Sequence, residues 1–465
     1  MTHSNAAGND GKNLGRPSAP LFFQQRFFPM WTALALGAFT DNMLKQALSI
    51  ALVYSIFTAP LISNDDALPI VGSLFPIAML IFSSLAGQVA DKYETALMFR
   101  RTKLAEFALM VLAAIGFMTK STLILVLALF LMGAQSAFFS PSRTGAMPKY
   151  LQPDELVRGN ALCSGGLFVS VMLGILIGGL LIAMPNGPML VSIILVSAAF
   201  IGWRVILLAP EAAANAPDLK IDWNIFRQTF VLFGFAFRSP GVAHPVFGVA
   251  VYWLLGAFVS VATPLFVRDT LIADETVVTT LMGLFAIGAA LGAGIASSLA
   301  KGKSGLRYSF GAAVIASIST MIVFSISISA PYAAGDLRNF SVFFSEWRAF
   351  VIAAGFLAAS TAMSVFAVPM MAAVQRRAPS DRRSRILAAN NMLNGAGAII
   401  GSWLVFSITR TQLSAAYVFL AVASAQGLIA MYMLYRRSRV PEGLYDESLN
   451  PNNQANNADI TPEHS

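Results

Sequence analysis

The stretch PMWTALALGAFTDNMLKQALSIALVYSIF, Pro29 to Phe57, decides the fold class. A helix rising ~1.5 Å per residue crosses a ~30 Å hydrocarbon core in ~20 apolar residues, and this run is longer than that. Near its middle it carries Asp41, Asn42 and Lys45. A charge at that depth costs about 2.5–3.5 kcal/mol on insertion scales, so it is retained where something polar faces it. Asp41 and Lys45 stand four residues apart on one helix face, acid first, the order that an i,i+4 pair prefers. Two readings fit. One is a polar patch lining a central cavity; the other is an ion pair that neutralises itself and fixes helix packing.

As a whole the 465-residue chain is 56% hydrophobic and 12% charged, whereas soluble domains carry about 25% charged residues. Its apolar runs are unbroken and of helical length, unlike the alternating ~10-residue segments of a closed barrel. The class is an all-α membrane protein with about twelve transmembrane helices. The spans fall near 29–57, 68–90, 99–119, 122–140, 160–184, 189–208, 245–267, 277–300, 306–330, 348–370, 389–409 and 414–435. This predicts a cytoplasmic tail over 1–28, a six-helix half over 29–208, a central cytoplasmic loop over 209–244, a second half over 245–435, and a disordered tail over 436–465.

Charge orients the chain. Lys92, Arg100, Arg101 and Lys103 follow the second span, Lys301, Lys303 and Arg307 the eighth, and Arg376, Arg377, Arg382, Arg383 and Arg385 the tenth. The opposite loops hold isolated bases such as Lys120 and Arg268. The positive-inside rule puts both termini in the cytoplasm. It also explains the net charge of +8 without nucleic acid. Ahead of Pro29 there is no apolar core of a cleavable signal. One cysteine, Cys163, and three scattered histidines, His3, His244 and His464, predict no disulfide, metal or cofactor. No His-x4-Asp acyltransferase spacing is present, since Val249 stands five after His244, and there is no phosphate-cradling glycine loop, so the chain reads as no enzyme. In the central loop Phe226, Phe230, Phe233 and Phe237 share a stripe, which predicts an interfacial helix on membrane lipids.

Two equal halves point to a transporter whose site lies between them near the midplane. The pairs Gly174/Gly178, Gly288/Gly292 and Gly397/Gly401 predict close helix packing. Between spans two and three, GQVADKYETALMFRR (87–101) resembles the major facilitator signature. That resemblance implies a gate: Gly87 for close helix approach, then Asp91 and Lys92. Asp91 would cap the next segment and pair with Arg100 or Arg101, a latch that breaks and re-forms as the halves rock.

A narrower resemblance covers about Ala33 to Tyr435. AFTDNMLKQAL, GQVADK, FFSPSRTGAMPKYL, RGNAL and VPMMAAVQRRAP are similar to the lysophospholipid transporter family of the major facilitators. This implies translocation of lysophospholipid across the bacterial inner membrane by alternating access. It further implies re-acylation by a cytoplasmic acyltransferase and acyl-activating partner. Asp41, Asn42 and Arg143 match positions that face the polar head group. Lys45 resembles the branch fused to acyltransferase domains, and would face phosphate. The chain departs from the family at Thr40, where glycine is usual, at Arg143 in place of lysine, and at Ser260 where span seven carries a base. A proton-coupled exporter of drugs or small amphiphilic metabolites stays open, with Asp41 or Glu106 as its titrating carboxylate.

Overall fold

In lipid every backbone amide and carbonyl must find its partner inside the chain, and a long apolar run does so as a helix. The computed structural model describes residues 21–60, 63–152, 155–224, 234, 241–299, 308–329, 335–378, 383–411 and 413–439. Its long helices are α1 (Phe28–Val53), α2 (Asn64–Lys92), α3 (Thr95–Met118), α4 (Thr122–Tyr150), α5 (Leu156–Ile182) and α6 (Gly187–Ile206). They continue with α7 (Ala243–Asp269), α8 (Glu275–Leu299), α9 (Ser309–Ser329), α10 (Trp347–Arg377), α11 (Arg383–Thr409) and α12 (Tyr417–Arg439). Ten are long and apolar enough to cross a membrane. The two outside that set, α1 and α3, carry charge within their length: Asp41 and Lys45 on α1, Lys103 and Glu106 on α3.

The pairing of helices repeats. In the first half α1 packs on α5, α2 on α4 and α3 on α6; in the second α7 packs on α11, α8 on α10 and α9 on α12. The same three pairs recur six helices later, as expected of a duplicated half. The halves meet through α2 with α11 and α5 with α8.

Lipid offers no hydrophobic drive between helices, so close backbone approach has to hold these pairs. A Cβ on Gly174 or Gly178 of α5 would stand 2.5 or 2.6 Å from the Phe39 and Met43 carbonyl oxygens of α1. The contact recurs in the second half, where Gly397 and Gly401 of α11 press on the Ala250 and Leu254 carbonyls of α7. Gly288 and Gly292 do the same for α8 against α10.

One boundary matters for function. The sequence ends span four near residue 140, with a serine–proline turn after it, but α4 continues through Pro141 and Pro148 to Tyr150. Proline removes one amide bond, and membrane helices tolerate this where hydroxyls and neighbours satisfy the freed groups. The Ser142 hydroxyl donates to the Phe138 carbonyl at 3.0 Å. Arg143 therefore projects from a helix rather than from a turn. At the other boundary, α12 continues through Arg436 and Arg437 to Arg439. The phenylalanine stripe of 226–237 and the tail beyond 439 lie outside the described residues.

The two ends of the bundle differ. At the end where α1 finishes, termed the far end, the halves are joined. Arg268 of α7 holds Asp65 of α2 through two bonds of 2.9 Å and donates to the Val53 carbonyl of α1 at 2.7 Å. The Tyr54 hydroxyl donates to the Ala273 carbonyl at 2.9 Å, and Arg410 reaches Asp66 at 3.3 Å. Toward the basic end, where α1 begins, α5 and α8 part. They border a cleft of about 630 Å³ whose walls include Phe168, Val169 and Met172 opposite Ile287, Leu291 and Ile295.

Candidate functional site

The two readings of the first helix differ in what Lys45 should face. Its Nζ lies 4.4 Å from the centre of the Phe75 ring on α2, and it forms no ion pair with Asp41. Asp41 instead accepts a 3.2 Å bond at Oδ2 from the Ser136 hydroxyl of α4, while its buried Oδ1 has no partner. The two are thus not in ion-pair contact, although their charges lie close enough to act on each other. Both side chains are half-buried, which is the condition of groups that line a cavity in the bundle.

α4 brings a third charge to the same wall. Arg143 stands seven residues after Ser136, about two turns and ~10 Å along the helix on the same face. It is half-buried, close to Cys163 of α5, and makes no hydrogen bond or ion pair with the described residues. Because α1 and α4 run in opposite directions, Lys45 lies ~6 Å beyond Asp41 toward the far end and Arg143 lies toward the basic end. The wall thus carries a carboxylate with one buried, unpartnered oxygen and, to either side along it, two cations that form no ion pair with a described carboxylate, although the charges of Asp41 and Lys45 act on each other. Asn42 turns elsewhere. Its amide donates to the Ala38 carbonyl at 2.8 Å, and its Cβ sits in the space that Gly174 leaves on α5.

Sequence reasoning missed what stands behind Asp41. Lys103, counted there among the bases of a loop, is buried inside α3 with Glu106, their atoms 2.6 Å apart. Gln135 of α4 donates to Glu106 Oε2 at 3.2 Å. The available signals were the opposite charges three residues apart in an apolar run and the adjacent Gln135–Ser136 in another.

The gate residues are arranged differently from the expected latch. Asp91 is exposed and faces the linker: its Oδ1 accepts from Asn215 at 2.9 Å and its carbonyl from the Ala216 amide at 2.8 Å. The carboxylate that caps α3 is Glu94, which accepts from the Ala96 and Leu97 amides at 2.8 and 2.6 Å and from Ala212 at 2.8 Å. Arg100 donates to the Ala209 carbonyl at 3.3 Å, Lys149 to Ala213 at 2.7 Å, and the Tyr150 hydroxyl to Pro210 at 2.7 Å. The start of the linker is thus strapped beneath the first half. Arg101 is exposed and Lys92 half-buried. A Cβ on Gly87 would meet nothing within 4 Å, so the close approach expected there is not made in this conformation.

Comparison with known proteins fits this architecture. The family model of the Major Facilitator Superfamily matches residues 31–345. The chain belongs to that superfamily. Among curated relatives, this major facilitator protein is 27% identical over 273 residues to the lysophospholipid transporter LplT of Escherichia coli O1:K1 / APEC, a match covering 57% of this chain and 64% of that protein. The LplT of Citrobacter koseri matches at 27%, over 57% of this chain and 63% of that one. The chain thus spans somewhat under two thirds of the length of these relatives. Among solved structures, a POT peptide transporter in complex with alafosfalin superposes with a TM-score of 0.64 at 15% identity, covering 88% of this chain and 94% of that one. A bacterial homologue of the human lysosomal transporter Spinster, inward-facing and unoccupied, gives 0.59 at 14% identity over 89% and 94%. These structures establish the shared fold.

Proposed function

We propose that this protein translocates lysophospholipid across a bacterial inner membrane by alternating access, with its basic end in the cytoplasm. The observation that carries the reading is the wall of α1 and α4: a carboxylate with an unpartnered oxygen between two cations that form no ion pair with the described residues. A zwitterionic head group matches it, ammonium to Asp41 and phosphate to Lys45 or Arg143 through charge-assisted bonds. The apolar cleft between α5 and α8 supplies what the other end of such a molecule needs, a path for a single acyl chain. Relatives named as lysophospholipid transporters support the same substrate class.

In the cycle, the bonds of Arg268, Tyr54 and Arg410 close the far end while the basic end is open. The reverse state requires those bonds to break and the basic ends of the halves to meet. Gly87 would then provide the close contact, and Asp91, Lys92, Arg100 and Arg101 would exchange linker partners for partners across the gate. Substrate would leave at the basic end, where an acyltransferase and acyl-activating partner would receive it. The chain itself makes no covalent bond in this scheme.

The test is uptake of labelled lysophosphatidylethanolamine into proteoliposomes holding the purified protein, with and without a proton gradient. Uptake that needs no gradient and is competed by other lysolipids supports the reading. Uptake only with a gradient moves the protein to the proton-coupled exporters, and none under either condition removes the substrate class.

A further inference from the structure

A charged tier lies behind Asp41, on the side away from the cavity, and transport as outlined above does not use it. Lys103 Nζ and Glu106 Oε2 are 2.6 Å apart, with side chains 1% and 3% exposed. Two charges that deep are tolerated only when further bonds complete the pair. The Lys103 ammonium also lies 4.5 Å from the Phe139 ring centre. It fits against α1 because residue 37 is glycine: a Cβ there would stand 2.5 Å from Nζ. Glu106 takes its second bond from Gln135 Nε2, which also donates to the Thr102 carbonyl at 3.1 Å.

These contacts fix the direction of the Gln135 amide. Its NH2 faces two acceptors, so Oε1 must face the other way, where it lies 3.3 Å from the Ser136 hydroxyl. That hydroxyl is 3.2 Å from Asp41 Oδ2. A line of contacts therefore runs Lys103–Glu106–Gln135–Ser136–Asp41 across α3, α4 and α1, in which the Ser136 hydroxyl can fill only one of the last two links at a time. Ser136 has one proton and two acceptors. The proton goes to the Asp41 carboxylate, the charged and therefore stronger acceptor, and the neutral Gln135 amide oxygen only flanks it. The charged groups that face Asp41 are Lys45 from its own helix and Lys103 and Glu106 from α3.

We propose that Ser136, Gln135, Glu106 and Lys103 are positioning residues. They hold Asp41 with Oδ2 bonded and Oδ1 buried and without a partner, ready for the ammonium of a head group that enters, and so set a preference for ammonium-bearing over ammonium-free amphiphiles. This rests on the lysophospholipid reading and names the part of it that reads the head group.

Proteoliposome uptake of lysophosphatidylethanolamine and lysophosphatidylglycerol, which lacks the ammonium, tests it. Ser136→Ala should raise KM for the first lipid about ten-fold, the size of one bond to a charged group, with kcat unchanged. KM for the second should stay within about two-fold. Ser136→Thr, which keeps the hydroxyl, should restore the preference. Replacing the pair together, Lys103→Met with Glu106→Gln, avoids leaving one buried charge alone and should also lower the preference at unchanged protein level. Equal loss for both lipids, or no rescue by threonine, overturns the positioning role. Normal uptake with an unchanged preference overturns it as well and leaves the function standing. No uptake of either lipid by the unaltered chain overturns the function, and the positioning role with it.

Discussion

Arg268 is the residue whose loss should most directly unlock the far end. It joins α7 to α2 and α1 through two bonds to Asp65 and one to the Val53 carbonyl. Its side chain is 22% exposed and that of Asp65 is 45% exposed, so solvent screens the pair. Fully exposed pairs give under ~1 kcal/mol, and half-buried bonds to charged groups give ~1.5–3 kcal/mol. A total of about 1–2 kcal/mol in favour of the closed far end is reasonable, and Arg268→Gln should then shift the closed-to-open ratio roughly 5- to 30-fold. The assay places a cysteine at Ser260, half-buried on α7, in a Cys163→Ala background. An impermeant thiol reagent is added from the far-end side. Labelling should accelerate by that factor in Arg268→Gln and less in Arg268→Lys, which keeps the charge but loses the two-pronged geometry. An unchanged rate in well-folded Arg268→Gln protein would show that these bonds do not hold the far end shut.

Two identical substitutions should have opposite outcomes. Gly87→Val enters open space and should leave folded protein unchanged while stopping transport, because the closed basic end needs that space; Gly174→Val meets the Phe39 carbonyl and should reduce the amount of folded protein in the membrane. Measuring membrane level and uptake for both separates the two roles. The linker strap should also respond to pH. Burial pushes the Glu94 carboxyl up, but the Ala212, Ala96 and Leu97 amides and nearby Arg100 outweigh this and hold it below the ordinary glutamate value of 4.5. A depressed folded pKa means that the strap is fully stabilised above that ordinary value and loses the contribution as pH falls through the lowered one. Protection of the Ala212 and Ala216 amides from hydrogen exchange, taken relative to the intrinsic rate at each pH, should therefore stay high at neutral pH and fall only in acid. Glu94→Gln should lower it at neutral pH and abolish the acid step.

Much of the fold was legible because a bilayer allows so few solutions. Runs of helical length, the asymmetry of Lys and Arg, and the glycine pairs at 174/178 and 397/401 follow from backbone satisfaction and close packing, which act locally. Asp41 and Lys45 were visible as charges in an apolar run. That Lys45 would turn to Phe75 was not, since the ring comes from another helix. Asp91 looked like the capping residue because it stands in the signature, yet Glu94 sits one residue before α3, where a carboxylate can reach the first free amides. Pro141 read as the end of span four; α4 continues because Ser142 and its neighbours satisfy the carbonyls nearby. The contacts of Gln135 with Glu106 and of Ser136 with Asp41 join three helices, and no local pattern announces them.

The central claim is that Asp41 receives the substrate's head group rather than fixing helix packing. Asp41→Asn keeps the size of the side chain and the bond from Ser136 but removes the charge. Initial uptake of labelled lysophosphatidylethanolamine, normalised to folded protein in the same proteoliposomes, tests the claim most directly. The account predicts uptake reduced at least about ten-fold, the loss of one charge-assisted contact, with protein level near that of the parent. Undiminished uptake, or uptake and folded protein falling together, would contradict it.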